Sequence, residues 1–294
     1  VFCPLFSNFG PEPLRTRLEI ARARLLVTTE RQYRRKIEPL RPRLPLLEHV
    51  LIVREPGAAG SSDPLPEGTQ DFAALMAEAP DHFVVPATDP EDRALLHFTS
   101  GTTGRPKAAV HVHGAIAAHR RSAEEALDLH PGDVFWCTAD PGWVTGTSYG
   151  FLAPLALGAT VVIDHEEFDA ERWCQLLARE RVQVWYTAPT ALRLLMRLPP
   201  ESLAAHDFGA LRALASVGEP LDPAAVGWAQ RVFGVPCRDT WWQTETGAIM
   251  IANGPRGGDP AVTKPGALGR PLSGIEAAIV APRPGGGVDR KSVV

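Results

Sequence analysis

A run of hydroxyl residues and glycines in the first half of the chain has the composition of a phosphate-binding loop. Residues 99–107 read Thr-Ser-Gly-Thr-Thr-Gly-Arg-Pro-Lys. The glycines permit close approach of the backbone, amides and hydroxyls can donate to phosphate oxygens, and Lys107 adds a positive charge. The spacing is not that of a P-loop, because only two residues separate the glycines and Ala108 follows the lysine. The run predicts a different kind of polyphosphate loop, with a flexible turn as the alternative.

Two strings in the second half of the chain add nucleotide and metal chemistry. Residues 239–247 read Asp-Thr-Trp-Trp-Gln-Thr-Glu-Thr-Gly. Within this string Glu245 is a hard oxygen ligand suited to Mg²⁺, and Trp241 offers a flat face to a base. A pair of core tryptophans is the alternative, but it leaves the polar residues that follow unexplained. Residues 216–220, Ser-Val-Gly-Glu-Pro, predict a turn with a carboxylate ahead of a helix, which alone is weak evidence.

A family resemblance emerges when two further strings are added. Residues 138–150 read Thr-Ala-Asp-Pro-Gly-Trp-Val-Thr-Gly-Thr-Ser-Tyr-Gly, and residues 186–190 read Tyr-Thr-Ala-Pro-Thr. In this order, the five strings resemble the motifs of the AMP-forming, adenylate-forming enzymes: acyl-CoA synthetases, luciferases and peptide-synthetase adenylation domains. The resemblance extends over residues 1–279 and is nearest to the acetyl-CoA synthetases (acetate–CoA ligases).

This resemblance implies a fold, a reaction and a set of ligands. The fold is α/β: a layered αβαβα large domain with largely parallel sheets, incomplete at both ends. In the reaction a carboxylate attacks the α-phosphorus of ATP to give acyl-AMP and pyrophosphate, and the thiol of coenzyme A then displaces AMP. The implied ligands are ATP, Mg²⁺, coenzyme A and acetate, all small molecules.

The resemblance also implies residue roles. Lys107, Thr244 and Glu245 are the catalytic residues, with Glu245 as the metal ligand. The nucleotide-binding residues are Thr99, Ser100, Gly101, Thr102, Thr103, Gly104, Lys107, Gly218, Glu219, Pro220, Asp239, Thr240, Trp241, Trp242, Gln243 and Thr244. The residues on the acyl and coenzyme A side are Trp143, Val144, Thr145, Val217 and Trp242.

Trp242 discriminates among branches of the family. An indole at this place would fill the end of the acyl pocket, and relatives that take longer chains tend to have a smaller residue there. Acetate is therefore the expected substrate, with propionate second. A medium-chain synthetase, a carrier-loading adenylation domain and a nucleotide-binding remnant without catalysis are the alternatives. Trp242 and the Trp-Val-Thr of residues 143–145 argue against the first two.

The elements that must position these strings alternate along the chain. Apolar runs at residues 25–29, 49–53, 94–98 and 108–113 predict strands in the first half, with a surface loop over 55–69 and a helix over 71–79. The second half predicts strands at 134–138, 160–163, 182–186, 211–217 and 275–280, and helices at 114–127, 169–180 and 189–197. Asp222-Pro223 and Gly234 bound one more helix. This alternation is typical of parallel sheet, in which ligands bind at the carboxyl ends of strands.

Composition excludes several classes of function. The chain has 294 residues, 45% of them hydrophobic and 22% charged, which is typical of a globular domain. A net charge of −4 argues against nucleic-acid binding, and charges interrupt every apolar stretch, which argues against a membrane span. Four cysteines without C-x-x-C spacing indicate buried thiols in a reducing compartment, so the cytoplasm is expected. Oligomeric state is left open.

The ends of the sequence suggest a boundary. We expect residues 1–288 to be part of a large AMP-binding domain, because the later motifs and the mobile C-terminal domain of the family do not occur here. The isolated chain is then expected to be inactive. Residues 289–294, Asp-Arg-Lys-Ser-Val-Val, are interpreted as a non-native tail.

Overall fold

The computed structural model describes residues 1–54, 64–99, 105–253, 266–282 and 288–291. The chain is mixed α/β with mostly parallel sheets, as the sequence predicts. It divides into two compact units, Val1–Gly114 with Asp140–Trp143, and Ala115–Ala139 with Val144–Val294.

The first unit contains two small sheets. Its elements are α1 (Pro11–Ala21), β1 (Leu25–Thr29), α2 (Glu30–Gln32), β2 (His49–Val53), β3 (Gln70–Asp71), α3 (Phe72–Glu78), β4 (Arg93–Thr99) and β5 (Lys107–Val112). Strands β1, β2 and β3 form a parallel sheet, and β4 pairs with β5 in antiparallel register. Leu14 and Leu18 are one helical turn apart on α1, which buries both in a core with Tyr33, Val50 and Ile52.

The second unit is built on a seven-stranded sheet. Its helices are α4 (Ala115–Ser122), α5 (Val144–Thr147), α6 (Ala153–Leu157), α7 (Ala170–Arg179), α8 (Pro189–Leu195), α9 (Pro200–Ala204) and α10 (Pro223–Phe233). Its strands are β6 (Val134–Cys137), β7 (Thr160–Val162), β8 (Val184–Thr187), β9 (Ala213–Ser216), β10 (Cys237–Trp241), β11 (Ile251–Ala252), β12 (Arg270–Pro271), β13 (Ile279–Pro282) and β14 (Val288–Lys291). The sheet order is β12-β11-β10-β9-β8-β6-β7, parallel from β10 to β7.

Alternation along the central strands sends neighbouring side chains into two different apolar clusters. The tryptophan cluster contains Trp136, Trp173, Trp185, Leu214 and Phe233, together with other side chains of α7, α8 and α10. The tyrosine cluster contains Phe135, Tyr149, Tyr186, Ala215, Trp242 and their apolar neighbours. On β8, Trp185 belongs to the first cluster and Tyr186 to the second, so the sheet has two buried faces of different chemistry.

Helix caps predicted from the sequence are confirmed in this unit. The side chain of Asp222 accepts from the Ala225 amide at the start of α10, and Gly234 ends that helix with φ of 74°. Asp169 caps α7 in the same way by accepting from the Arg172 amide. These side chains fix where two of the crossover helices begin.

Several parts of the chain differ from the sequence prediction, and helix α1 and strand β10 are absent from the predicted elements. The late strand begins at Ile279 rather than residue 275, because Gly274, with φ of 84°, lies in a turn that the Ile275 amide closes onto the Leu272 carbonyl. Helical structure also runs from Val144 to Leu157, through a π-helical turn at Ser148–Leu152, where the sequence predicted only a pocket segment. Strand β14 pairs with β13, and the interpretation of residues 289–294 as a tail remains a prediction. Of the surface loop predicted over 55–69, residues 55–63 lie outside the described residues.

Candidate active site

Three of the predicted strings begin at one edge of the seven-stranded sheet. Strands β8, β9 and β10 are adjacent and parallel, with Thr187 opposite Ser216 and Ser216 opposite Asp239. The residues after these strands therefore leave the sheet at the same side, as the sequence predicts for a ligand site in a parallel sheet.

Trp241 and Trp242 separate at the end of β10. Trp241 is 39% exposed, whereas Trp242 is 9% exposed and belongs to the tyrosine cluster. The alternative of a buried tryptophan pair is therefore wrong, because consecutive residues of an extended chain point to opposite sides. The Trp241 indole is thus accessible from solvent, and the Trp242 indole lies among apolar side chains.

A chain of hydrogen bonds holds the buried indole. Trp242 Nε1 donates to Tyr186 Oη at 3.1 Å, and Tyr186 Oη lies 2.8 Å from Thr240 Oγ1. Thr240 Oγ1 in turn donates to the Ser216 carbonyl at 2.7 Å. Burial raises the pKa of Tyr186 well above its ordinary value, so this phenol stays neutral and can both donate and accept.

Tyr149 supports the same region from a neighbouring helical turn. Its ring packs edge-on against Trp242 at 5.1 Å between centroids, and against Tyr186 at 5.8 Å. Its hydroxyl accepts from the Ile249 amide at 2.7 Å and lies 2.6 Å from Ser122 Oγ. Burial also raises the pKa of Tyr149. The sequence alone assigns no role to Tyr149 or Ser122, and the one signal is that Tyr149 lies inside the string over 138–150.

The predicted acyl residues of this unit fall partly into one cluster. Val144 is buried in the tyrosine cluster, and Val217 packs against that cluster from the end of β9. Thr145 is half-buried, and its carbonyl lies 4.0 Å from Cys137 Sγ. The structure thus brings Val144, Val217 and Trp242 together in a single apolar region.

The predicted adenosine residues form a turn and a buried carboxylate. Gly218 has φ of 93°, a conformation that favours glycine, and it turns the chain after β9. Asp239 Oδ1 accepts from Ser216 Oγ at 3.1 Å and from the Thr240 amide at 3.0 Å. Burial raises the pKa of Asp239. This carboxylate ties the ends of β9 and β10 together.

Glu219 is engaged by the protein itself. Thr190 Oγ1 donates to its carboxylate at 2.6 Å and Arg193 Nη2 at 2.5 Å. The Thr190 hydroxyl first, and the Arg193 guanidinium after it, lower the pKa of Glu219. The carboxylate therefore anchors residues 218–220 to α8, a function that the sequence did not reveal because residue 190 is remote in the chain.

Glu245 lies in a tight turn that continues from β10. The turn is closed by the Thr246 hydroxyl, which lies 3.0 Å from both the amide and the carbonyl of Gln243, and by Gly247 with φ of 75°. Glu245 is exposed and Thr244 is half-buried. Across the described ranges no group of three or more metal-ligating side chains occurs. A single exposed carboxylate fits Mg²⁺, which keeps several waters and takes other oxygens from substrate phosphates.

The first unit carries the remaining predicted residues. Thr99 ends β4 and Lys107 begins β5, opposite one another in the antiparallel pair. Lys107 is exposed. The intervening Ser100, Gly101, Thr102, Thr103 and Gly104 lie outside the described residues.

Trp143 also belongs to the first unit. It is 45% exposed and packs against Phe6 and Phe9, with ring centroids 5.2 and 6.2 Å away. The preceding Gly142 has no room for a side chain, because a Cβ there would lie 2.1 Å from the Phe6 amide nitrogen. Close backbone packing thus explains the glycine before this tryptophan.

Comparison with known proteins defines the class. The model of the AMP-binding enzyme family matches residues 1–292, and the chain belongs to this family. It is 40% identical to the acetyl-coenzyme A synthetase of Bacillus subtilis (strain 168), over 94% of this chain and 46% of that protein. It is 38% identical to the acetyl-coenzyme A synthetase of Methanothrix thermoacetophila, over 94% of this chain and 43% of that protein. The chain thus spans less than half the length of these curated relatives.

A solved structure gives the same family. The fold is similar to a Brucella canis acyl-CoA synthetase, with a TM-score of 0.82 and 31% identity, over 98% of this chain and 50% of that chain. Within the described part of the chain, none of the helices combines the length and apolar character that a membrane span requires.

All four cysteines are free thiols. Cys174 and Cys237 are buried as predicted, but Cys3 and Cys137 are only half-buried.

Proposed function

We propose that the full polypeptide carrying this sequence activates acetate, or another short-chain carboxylate, with ATP. The first product is an acyl-AMP with release of pyrophosphate, and the acyl group then passes to coenzyme A with release of AMP. The protein is on this proposal an AMP-forming acetate–CoA ligase. A cytoplasmic location is part of the proposal and is supported by the four free thiols.

The observation that carries the proposal is the bulk of the buried Trp242 indole in the apolar cluster that contains Val144 and against which Val217 packs. A rigid indole at the end of an acyl pocket excludes long chains by steric contact, whereas each methylene in an open apolar pocket changes binding by only about 1–3 kcal/mol. A wall of this kind favours two or three carbons. The curated relatives named acetyl-coenzyme A synthetase agree with a short-chain substrate.

The protein would act on the nucleotide mainly by orienting it and by offsetting the negative charge of its phosphates. Attack of the carboxylate on the α-phosphorus needs neutralisation of phosphate charge rather than covalent help from the protein. Thr99, Lys107 and the loop between them would hold the β- and γ-phosphates, and Thr244 would donate to the α-phosphate. Glu245 would hold a Mg²⁺ ion, which supplies positive charge between the phosphates. Trp241 would stack on the adenine with its exposed face.

The test is a substrate panel on the full polypeptide. We expect pyrophosphate release that depends on acetate, weaker release with propionate and little with butyrate or hexanoate, followed by thioester formation when coenzyme A is added. A preference for hexanoate would favour a medium-chain synthetase. Acyl-AMP formation without transfer to coenzyme A would favour a carrier-loading domain, and nucleotide binding without pyrophosphate release would leave only a binding module. Each of these three results contradicts the proposal.

A further inference from the structure

The hydrogen bonds behind Trp242 have a single direction, which the chemistry of the groups decides. The indole nitrogen can only donate, so Tyr186 Oη accepts from it. The Thr240 hydroxyl has one hydrogen, and the Ser216 carbonyl takes it because a carbonyl can only accept. Thr240 Oγ1 must then accept from Tyr186, so the phenolic hydrogen has a unique acceptor.

A second chain of the same kind runs beside the first but does not reach the indole nitrogen. The Ile249 amide donates to Tyr149 Oη, and Ser122 Oγ donates to the Ala118 carbonyl at 2.6 Å. Tyr149 Oη therefore donates to Ser122 Oγ. Two buried phenols thus each accept one N–H and donate one O–H, and only Tyr186 touches the polar atom of Trp242.

Together these contacts determine the rotation of the indole. Tyr186 Oη fixes the nitrogen edge of the ring, and the Tyr149 ring packs on the indole at an interplanar angle of 75°. If the indole rotated away, its buried N–H would lose its acceptor, which is costly in an apolar surrounding. The methyl groups of Ala213 and Ala215, in the same cluster, have no atom that could accept this hydrogen bond.

We propose that the Tyr186 hydroxyl is a positioning group that holds Trp242 in place and thereby sets the length of acyl chain the site accepts. The inference rests on the proposed function, since it assigns the acyl-length selectivity of the proposed site to Tyr186, which contacts Trp242. Tyr186 is argued to act through Trp242, so it is a positioning residue rather than a catalytic one. The phenol acts through a single hydrogen bond to the neighbouring side chain.

The test compares Tyr186→Phe with Tyr149→Phe in the full polypeptide. Both variants remove one buried hydroxyl with the same number of hydrogen bonds, so a general loss of stability affects both. Only Tyr186→Phe removes the acceptor of the indole N–H. We expect the acetate-to-butyrate ratio of kcat/KM to fall about fivefold in Tyr186→Phe, the factor that one neutral hydrogen bond is worth. The ratio stays unchanged in Tyr149→Phe, and the KM for ATP stays unchanged in Tyr186→Phe.

A direct readout of the indole accompanies the kinetics. In protein labelled with 5-fluorotryptophan, the ¹⁹F resonance of Trp242 is assigned by its loss in Trp242→Phe. We expect this resonance to move or broaden in Tyr186→Phe and to broaden less in Tyr149→Phe. Should Tyr186→Phe fail to fold, 3-benzothienylalanine at residue 242 replaces it, because this analogue keeps the two fused rings and lacks the N–H that donates to Tyr186 Oη. We expect the same fall in the acetate-to-butyrate ratio, and an unchanged ratio would overturn the role in selectivity.

The outcomes separate the two proposals. An unmoved Trp242 resonance in Tyr186→Phe overturns the positioning role. A moved resonance with an unchanged acetate-to-butyrate ratio, or an equal change of the ratio in both variants, overturns the role in selectivity. If the unaltered polypeptide activates no carboxylate, the proposed function is wrong, and a moved resonance then assigns the hydrogen bond a purely structural role.

Discussion

The two faces of the seven-stranded sheet bury their aromatic residues in different ways. In the tryptophan cluster, Trp136 stacks on Trp185 at 6.1 Å and Phe233 packs edge-on against Trp185 at 5.7 Å. Neither Trp173 Nε1 nor Trp185 Nε1 has a hydrogen-bond partner in the described part of the chain. In the tyrosine cluster, the polar atoms of Tyr149, Tyr186 and Trp242 all have partners.

The aromatic side chains of the tyrosine cluster are therefore held by hydrogen bonds as well as by packing. The hydrophobic effect is non-directional, whereas a hydrogen bond to a buried group adds a preferred direction to what packing already restricts. The face with hydrogen bonds is the one that includes Val144, Val217 and Trp242. We therefore expect substitutions on the first face to change stability alone. On the second face we expect a change of selectivity as well, but only from substitutions that remove Trp242 or the hydrogen bond to its indole nitrogen.

The largest expected effect is on the tryptophan face. Trp185 is fully buried, so Trp185→Ala removes a large ring and leaves a cavity. We expect a loss of about 3–5 kcal/mol in the free energy of unfolding. Urea unfolding measures the loss, and Trp185→Phe, which keeps a ring and lacks the unpartnered N–H, is the milder control. If folded Trp185→Ala had a different acetate-to-butyrate ratio of kcat/KM, the assignment of selectivity to the tyrosine cluster alone would be wrong.

Trp242→Gly tests the other face by removing the wall itself. We expect kcat/KM for butyrate relative to acetate to rise by about 10–200-fold, the range for one or more methylenes admitted to an apolar pocket. The measurement is pyrophosphate release by the full polypeptide with each acid. An unchanged acetate preference would refute the assignment of Trp242 to the acyl pocket. Trp241→Gly is the matched control, since the neighbouring indole is exposed and points the other way.

Tyr149→Phe compares the two faces through a smaller expected loss of stability than that of Trp185→Ala. The change removes two hydrogen bonds and leaves the buried Ile249 amide without its acceptor. We expect the free energy of unfolding to fall by about 1–3 kcal/mol, without the cavity that Trp185→Ala creates. Urea unfolding of both variants in one series decides whether the order of effects holds.

The smallest effect is the pH dependence of that difference. An unfolded tyrosine titrates near pH 10, and burial raises the pKa of Tyr149 in the folded protein. The stability from this phenol is therefore complete below pH 10 and is lost as pH rises above it, by about 1.4 kcal/mol per pH unit. We expect the stability gap between the unaltered protein and Tyr149→Phe to be constant up to pH 10 and to shrink above it. A gap that widens in alkali would contradict the burial of a neutral phenol.

Local signals made much of the fold predictable. The strands at Leu25–Thr29 and His49–Val53 are apolar runs with clear ends, and both occur where the sequence placed them. Asp222 and Gly234 bound α10 because capping depends on the residues next to the helix. Helix α1 and strand β10 were not identified, since their charged or polar residues mask the periodicity.

The site was predictable as motifs but not as a network. Trp242 and Val217 stood out in their strings, and the structure places them in one cluster. The hydrogen bond from Trp242 to Tyr186, and that from Ile249 to Tyr149, join residues far apart in the chain. Such long-range hydrogen bonds form only when the strands are assembled, so no local sequence pattern predicts them. The anchoring of Glu219 by Arg193 was missed for the same reason.

The opposite orientations of Trp241 and Trp242 have a consequence for how this family can diversify. On the proposed roles, two adjacent residues would supply a surface for a base and a limit on acyl length. Their side chains differ in burial because consecutive residues at the end of β10 point to opposite sides. If these roles hold, a substitution at residue 242 would alter the choice of acid and leave the proposed nucleotide contact of Trp241 in place. A shift of β10 by one residue relative to β9 would exchange the positions of the two indoles and remove both proposed roles. The pairing of Asp239 with Ser216 therefore maintains the register on which these roles depend.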